Sequence, residues 1–438
     1  MALTMFAVAG CGGATPDDQV NSGTGSGNTD DSGSSEKPGG NTDNPGSGGR
    51  DTLVLWGPSA QQASLREMVD EFLKQNPDFG LKIELGVAGE GDAYVMMSND
   101  VKSGADVFAY SNDQLVNLIS IGALAELTDS TVKTLKETNV EASVEAGKVG
   151  DGYYGYPYAA DNGFFMYYDK SVVSEEQATS LEAVLDACKA NGKYFIYSLA
   201  IGWYTGSFIY GAGGEYSADY DFKTKKWSVS CNFDQKAPGS EYSYGELGGR
   251  QLIDLHNHSA CVDGYDVEIA TYLKAGKLGA CITGTWNADI IEEYLKDNYA
   301  ATVLPKWTSS LDGKTYDWKS FAGYKLYGVN SFSKHLPEAH QLAAYLSSQA
   351  MQEKRFDDSA VGPSNKAVAA LDKVQDNVAI AAISKQIATN SVIQTSMPKS
   401  YWDAMESFAR AMKELVYDGT VVVSVQLVKE LVEALKAN

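Results

Sequence analysis

Positive charge is scarce in this chain. It carries 35 Lys and Arg against 57 Asp and Glu, a formal net charge of -22 over 438 residues. Nucleic acid is bound at clustered cations that displace its counterions, so this balance excludes a nucleic-acid partner. It also excludes attachment to anionic lipid through surface charge. Long apolar runs are missing: apart from the short Ala2 to Gly10 stretch no candidate stands out, and a bilayer span needs about 20 such residues. Histidine is limited to His256, His258, His335 and His340, none paired with Cys at a zinc-ligand spacing, and no phosphate-cradling glycine loop is present. No metal and no cofactor is expected. His256 and His258, two residues apart, read as surface residues. Cysteine is limited to Cys11, Cys188, Cys231, Cys261 and Cys281. The last four allow three complete pairings among which sequence does not choose; if one bridge forms, Cys231 with Cys261 is the expectation.

What is present is the composition of a soluble globular protein, 44% hydrophobic and 21% charged, with enough length for two domains. Tyr (26) and Trp (7) are abundant, which supplies many flat rings with a polar edge. Val8-Ala9-Gly10-Cys11 resembles the lipobox of bacterial lipoproteins, which implies a signal segment over 1–11 and acylation of Cys11. No basic residues precede the apolar stretch, so the true signal is expected to begin further upstream. Residues 12–50 are almost all Gly, Ser, Asp, Asn, Thr and Pro, too polar to bury a core. They read as a disordered tether with a reach of about 35 Å. The protein is therefore expected at the extracellular face of the cell membrane, held through a lipid anchor only.

From Asp51 the pattern changes to short apolar runs separated by amphipathic stretches, the mark of α/β layers. Thr52 to Trp56, Leu81 to Leu85 and Asp106 to Tyr110 read as strands, and Ala63 to Leu73 as a helix between the first two. Beyond about Glu338 the periodicity is mostly helical. Ligands in such folds bind outside the strand ends, so residues following these strands are the first candidates.

The block from Gly155 to Lys170, Gly-Tyr-Pro-Tyr-Ala-Ala-Asp-Asn-Gly-Phe-Phe-Met-Tyr-Tyr-Asp-Lys, resembles a hallmark of extracellular solute-binding proteins of the maltose/maltodextrin-binding family. Ala105 to Phe108 with Asp113, Gly122 to Leu127, Ala275 to Lys277 before Ile282 to Trp286, Val303 to Pro305, and Lys319 to Asn330 follow in the family's order. The resemblance spans nearly all of 51–438 and is greatest to the maltodextrin-binding lipoproteins of Gram-positive bacteria. It implies an α/β, two-lobed periplasmic-binding-protein-like fold with discontinuous lobes joined by three crossover segments, near 159–163, 322–326 and 372–378. The first lobe would take 51–159 plus 325–375, the second 161–322 plus 378–438. The implied protein is no enzyme: as a monomer it binds an oligosaccharide, a maltooligosaccharide by this resemblance, and passes it to the permease subunits of an ABC transporter.

A sugar offers C–H faces and hydroxyl rims, so its site needs aromatic plates and planar acceptors. By position in the family, Trp203, Trp286 and Trp402 are the stacking rings of the second lobe, faced by Tyr110 from the first, with Tyr158 and Tyr204 as further rings. Asp113 and Asp161 are the expected hydroxyl acceptors, joined by Glu90 and Asp92 in the glycine-rich loop after the second strand. Asp113 has a competing reading as a helix N-cap. Trp56, Trp227, Trp307 and Trp318 are assigned to the core. The chain departs from the family at Pro58 to Gln61, where relatives carry an Asp-Lys pair, and at Gln114, often Arg. The rival readings are a glycoside hydrolase, which also pairs rings with carboxylates, and a surface polysaccharide-docking protein with no role in transport.

Overall fold

The computed structural model describes residues 51–199, 201–417 and 422–437. The signal segment, Cys11 and the tether at 12–50 lie outside the described residues. Strand β1 (Thr52–Gly57) runs parallel to β2 (Lys82–Val87), with Thr52 opposite Lys82 and Gly57 opposite Val87. Between them α1 (Gln62–Gln75) places Leu65, Met68, Val69 and Phe72 on one buried face, the three- and four-residue spacing of an amphipathic helix. A loop carries the chain into α2 (Ala93–Asn99), and β3 (Val107–Ser111) returns parallel to β1. Every residue of β3 is buried, because layers cover both of its faces. Helices α3 (Leu115–Ser120) and α4 (Glu141–Glu145) precede β4 (Tyr156–Asn162).

Past Gly163 the chain enters a second sheet. Its strands are β5 (Phe165–Asp169), β6 (Tyr194–Tyr197) after α5 (Leu181–Ala190), β9 (Cys261–Asp263), β10 (Leu278–Thr283) and β11 (Tyr299–Thr302), in spatial order β9-β6-β10-β5-β11. The antiparallel hairpin β7 (Tyr216–Asp221) and β8 (Lys226–Cys231) and helix α6 (Tyr244–Asn257) lie between β6 and β9 in the chain. A capping box starts α6: the Ser243 hydroxyl accepts from the Glu246 amide at 3.2 Å, and the Glu246 carboxylate accepts from the Ser243 amide at 2.9 Å.

Strand β12 (Ser320–Val329) then leads back. Its first residues bury Phe321 in the second core, and its last bury Leu326, Tyr327 and Val329 in the first, where it pairs antiparallel with β3 and β4. It thus lies beside β4 as a second crossing strand. The two are so close that a Cβ on Gly163 would stand 2.5 Å from the Phe321 carbonyl oxygen. Helices α7 (Leu336–Leu346) and α8 (Gln349–Ser359) cover the first sheet, and α8 places Met351 in the first core but Phe356 in the second. After short helical turns the chain crosses to α9 (Val378–Thr389), β13 (Ser391–Ile393), α10 (Lys399–Tyr417) and α11 (Val425–Lys436).

Two expectations are corrected. Cys188, Cys231, Cys261 and Cys281 are all free thiols, and no Cys231–Cys261 bridge forms. Cys231 is opposite Tyr216 in the hairpin, whereas Cys261 is opposite Phe195 in the main sheet, so the two belong to separately built layers. Burial pushes the thiols of Cys188 and Cys231 up, to about 12 and about 11. His256 is not a surface residue. It faces inward from α6, its Nε2 accepts or donates no hydrogen bond among the described residues, and burial pushes its pKa down to about 4 against the pull of Asp263.

Candidate functional site

A cavity of about 550 Å³ opens between the two sheets. Its first wall is built at the ends of β2 and β3, where the polypeptide leaves the parallel sheet. Glu90 and Asp92 stand in the loop after β2, and Asp113 follows β3. One side chain organises this loop: the Gln114 amide donates to the Glu90 carbonyl at 3.1 Å and to the Gly91 carbonyl, and its oxygen accepts from the Tyr94 amide at 2.7 Å. The departure at Gln114 therefore has a structural use that an Arg, with donors only, could not serve. Asp113 does not cap a helix; its carboxylate accepts from the Ser111 hydroxyl at 2.6 Å, and burial raises its pKa to about 6.

Glu90 is held from below. The Tyr158 hydroxyl donates to its Oε1 at 2.8 Å and Lys325 Nζ lies 3.8 Å from the same oxygen. Tyr158 in turn packs against Tyr327, the rings tilted with centroids 4.6 Å apart, with the Arg355 guanidinium against both rings. Desolvation is the largest influence on Lys325 and opposes its charge, but Glu90 and then Asp161 outweigh it and hold the ammonium above its ordinary pKa.

The second wall is aromatic. Trp203 comes from the one-turn helix Gly202–Thr205, Trp286 from the turn after β10, and Trp402 from α10. Trp203 and Trp286 have centroids 5.8 Å apart, Trp203 lies nearly parallel to Phe321 at 6.4 Å, and Trp402 meets Phe321 edge-on at 6.2 Å. The Trp286 indole donates to Asp266 at 3.2 Å, which fixes its tilt. Glycine at 284 leaves room for the Trp286 ring, which a Cβ there would overlap and displace. Gln394 closes the floor, its oxygen accepting from Asn162 at 3.3 Å and from the Trp203 indole at 3.4 Å. Three indoles on one wall, with Glu90, Asp92 and Asp113 on the other, are an arrangement for binding flat, hydroxylated molecules. Among the described residues no group of His, Cys, Asp and Glu is arranged to hold a metal ion.

Residues 67–382 match the family of bacterial extracellular solute-binding proteins. The chain belongs to that family. The galactooligosaccharide-binding protein of Bacillus subtilis (strain 168) is 25% identical over 346 residues, 76% of this chain and 77% of its own length. A solved structure with acarbose is 27% identical, with a TM-score of 0.74 over 89% of this chain and 99% of its own. A maltodextrin binding protein from L. casei BL23, solved without ligand, is 18% identical, with a TM-score of 0.71 over 88% and 99%. The solute-binding protein thus has the two-lobed, periplasmic-binding-protein-like fold, and its family is one of substrate-binding proteins and not of enzymes. No described helix is long and apolar enough to cross a membrane.

Of the residues singled out in the sequence of this solute-binding protein, Glu90, Asp92, Asp113, Trp203, Trp286 and Trp402 line the cleft. Tyr110, Tyr158 and Tyr204 do not. Tyr110 is fully buried and donates to the Tyr154 carbonyl at 3.1 Å; Tyr204 is buried between Phe164 and Tyr197; Tyr158 reaches the cleft only through Glu90. Asp161 lies beneath the surface of the cleft, its Oδ2 accepting at 2.7 Å from both the Thr285 hydroxyl and the Gly362 amide. It joins the first crossover to the turn that carries Trp286. The sequence reading passed over Tyr94, Asn162, Tyr265, Lys325, Gln394 and Glu406, which also line the cleft. Glu406 had a usable signal, four residues after Trp402 on one helix face. Asn162 and Lys325 lay inside crossovers already marked.

Proposed function

We propose that this protein captures a maltooligosaccharide in its cleft and presents it to the permease subunits of an ABC transporter. In this reading it works as a monomer at the extracellular face of the cell membrane, anchored by acylation of Cys11 and spaced from it by residues 12–50. The lobes, 51–159 plus 325–375 and 161–322 plus 378–438, close on the sugar by a hinge motion at the crossovers. One observation carries the reading: Trp203, Trp286 and Trp402 share a cleft with Glu90 and Asp113. Stacked rings take the C–H faces of glucose units, and each carboxylate accepts paired hydroxyls, a charge-assisted bond worth about 1.5–3 kcal/mol. The relatives support a saccharide of several units, since they bind maltodextrin, galactooligosaccharide or acarbose. A galactooligosaccharide is the second reading, favoured by the Bacillus subtilis relative.

Calorimetry of the purified chain against maltotriose, longer α-glucans, galactooligosaccharides and starch separates the readings. Micromolar or tighter binding of maltotriose, with the sugar recovered intact, is the expected result. Heat only with galactooligosaccharides would move the assignment to the second reading; affinity confined to polymer would favour a docking protein, and cleaved product a hydrolase.

A further inference from the structure

Gln394 also lines a second cavity, of about 580 Å³, that no reading of the cleft accounts for. One wall is the tip of the β7–β8 hairpin. Pairing sets Trp227 opposite Tyr220, with ring centroids 5.1 Å apart, and Phe222 meets Tyr220 edge-on at 4.9 Å. These rings belong to no core: Tyr220 and Trp227 are half-buried, and Phe222 is 41% exposed. Trp227, assigned to the core from sequence, is thus a cavity-lining ring. Facing it are groups of the first lobe and the crossover. Glu145 on α4 is held in place, accepting from the Tyr153 hydroxyl at 2.7 Å with Lys136 at 3.1 Å. Tyr324 lies on β12.

A cluster of three mutually tilted rings facing a fixed carboxylate repeats the chemistry of the cleft, and the volume falls within the range of small-molecule sites. We propose that this cavity is a second saccharide site. It takes one or two sugar units with a C–H face on Tyr220 and Trp227 and hydroxyls directed at Glu145. The site stands independently of the cleft, since only Gln394 is common to both linings.

The seven Trp indole N–H groups give separable NMR reporters, Trp227 for this cavity and Trp203, Trp286 and Trp402 for the cleft. The full chain is titrated with maltose, maltotriose and lactose. The Trp227 signal is expected to shift saturably with at least one of them, and to do so still when Trp286→Ala and Trp402→Ala disable the cleft. Phe222→Ser, at an exposed position, should raise the concentration needed about tenfold, and Trp227→Phe assigns the signal. A Trp227 signal that stays fixed with all three sugars overturns the proposal. One that moves only in step with the cleft signals, and is lost in the cleft variant, overturns it too, by reporting lobe movement alone. Movement of Trp227 with a silent cleft would sink the cleft reading and leave this one standing.

Discussion

Asp113, buried, and His256, half-buried with its Nε2 enclosed, are ionisable groups whose effects on stability have opposite signs. Burial raises the Asp113 carboxyl from 3.8 to about 6, so its contribution to stability is complete below 3.8 and is lost as pH rises through 6. His256 is lowered from 6.5 to about 4, so its contribution is complete above 6.5 and is lost as pH falls through 4. The two slopes oppose each other over the same interval. Asp113→Asn is therefore expected to steepen the loss of stability on acidification and His256→Leu to abolish it, each by on the order of 2–3 kcal/mol between pH 7 and 4 in denaturant titrations. Parallel curves for wild type and both variants would refute this pair of assignments. Asp113 also links pH to binding: if its carboxylate accepts sugar hydroxyls, affinity falls below about pH 6. Asp113→Asn should then weaken binding five- to tenfold, the difference between a charged and a neutral acceptor of about 1 kcal/mol, and remove the pH dependence. The tryptophans of the cleft were legible through position in the family, Trp286 inside the block from Ile282 and Trp203 and Trp402 outside any motif. Tyr110, Tyr158 and Tyr204 carry the same local signal but lie on elements covered from both sides, and a ring in a layered fold gives no sign in sequence of which side is open.

At the scale of elements, strands β1 to β3 and helix α1 could be read from apolar runs and three-four spacing, within a residue or two at their ends. The turns that aim the rings could not. Trp286 depends on the glycine at 284 and on Asp266, neither of which announces itself by periodicity. Gly284→Ala should lower oligosaccharide affinity tenfold or more with little change in melting temperature, since the ring must swing away from the added methyl; unchanged affinity would show that Trp286 does not act from this turn. The link from β13 to α10 was equally silent. Its hold on the first lobe comes from polar contacts, with the Asn112 amide donating to the Gln394 carbonyl and the Asn117 amide to the Met397 carbonyl at 3.0 Å. Contacts between residues some 280 positions apart leave no trace in a single sequence.

At the scale of the whole molecule, no crosslink joins the described residues. With all four described cysteines free and its hydrophobic clusters extensive, its melting temperature should not change on adding reductant, and denatured protein should titrate four thiols besides Cys11. A fall of several degrees with dithiothreitol would reveal a bridge. The two-lobed fold was legible because motifs spread along the chain resemble one family; the placement of carboxylates opposite rings emerges only when the crossing strands β4 and β12 bring the lobes together. The central claim is that these opposed walls hold an oligosaccharide. It is tested most directly by titrating maltotriose into the wild type and into the chain carrying Trp286→Ala with Trp402→Ala. Stacking worth about 1–3 kcal/mol per ring predicts saturable wild-type binding that weakens about thirtyfold or more in the double variant. Equal affinity in the two proteins would contradict the account.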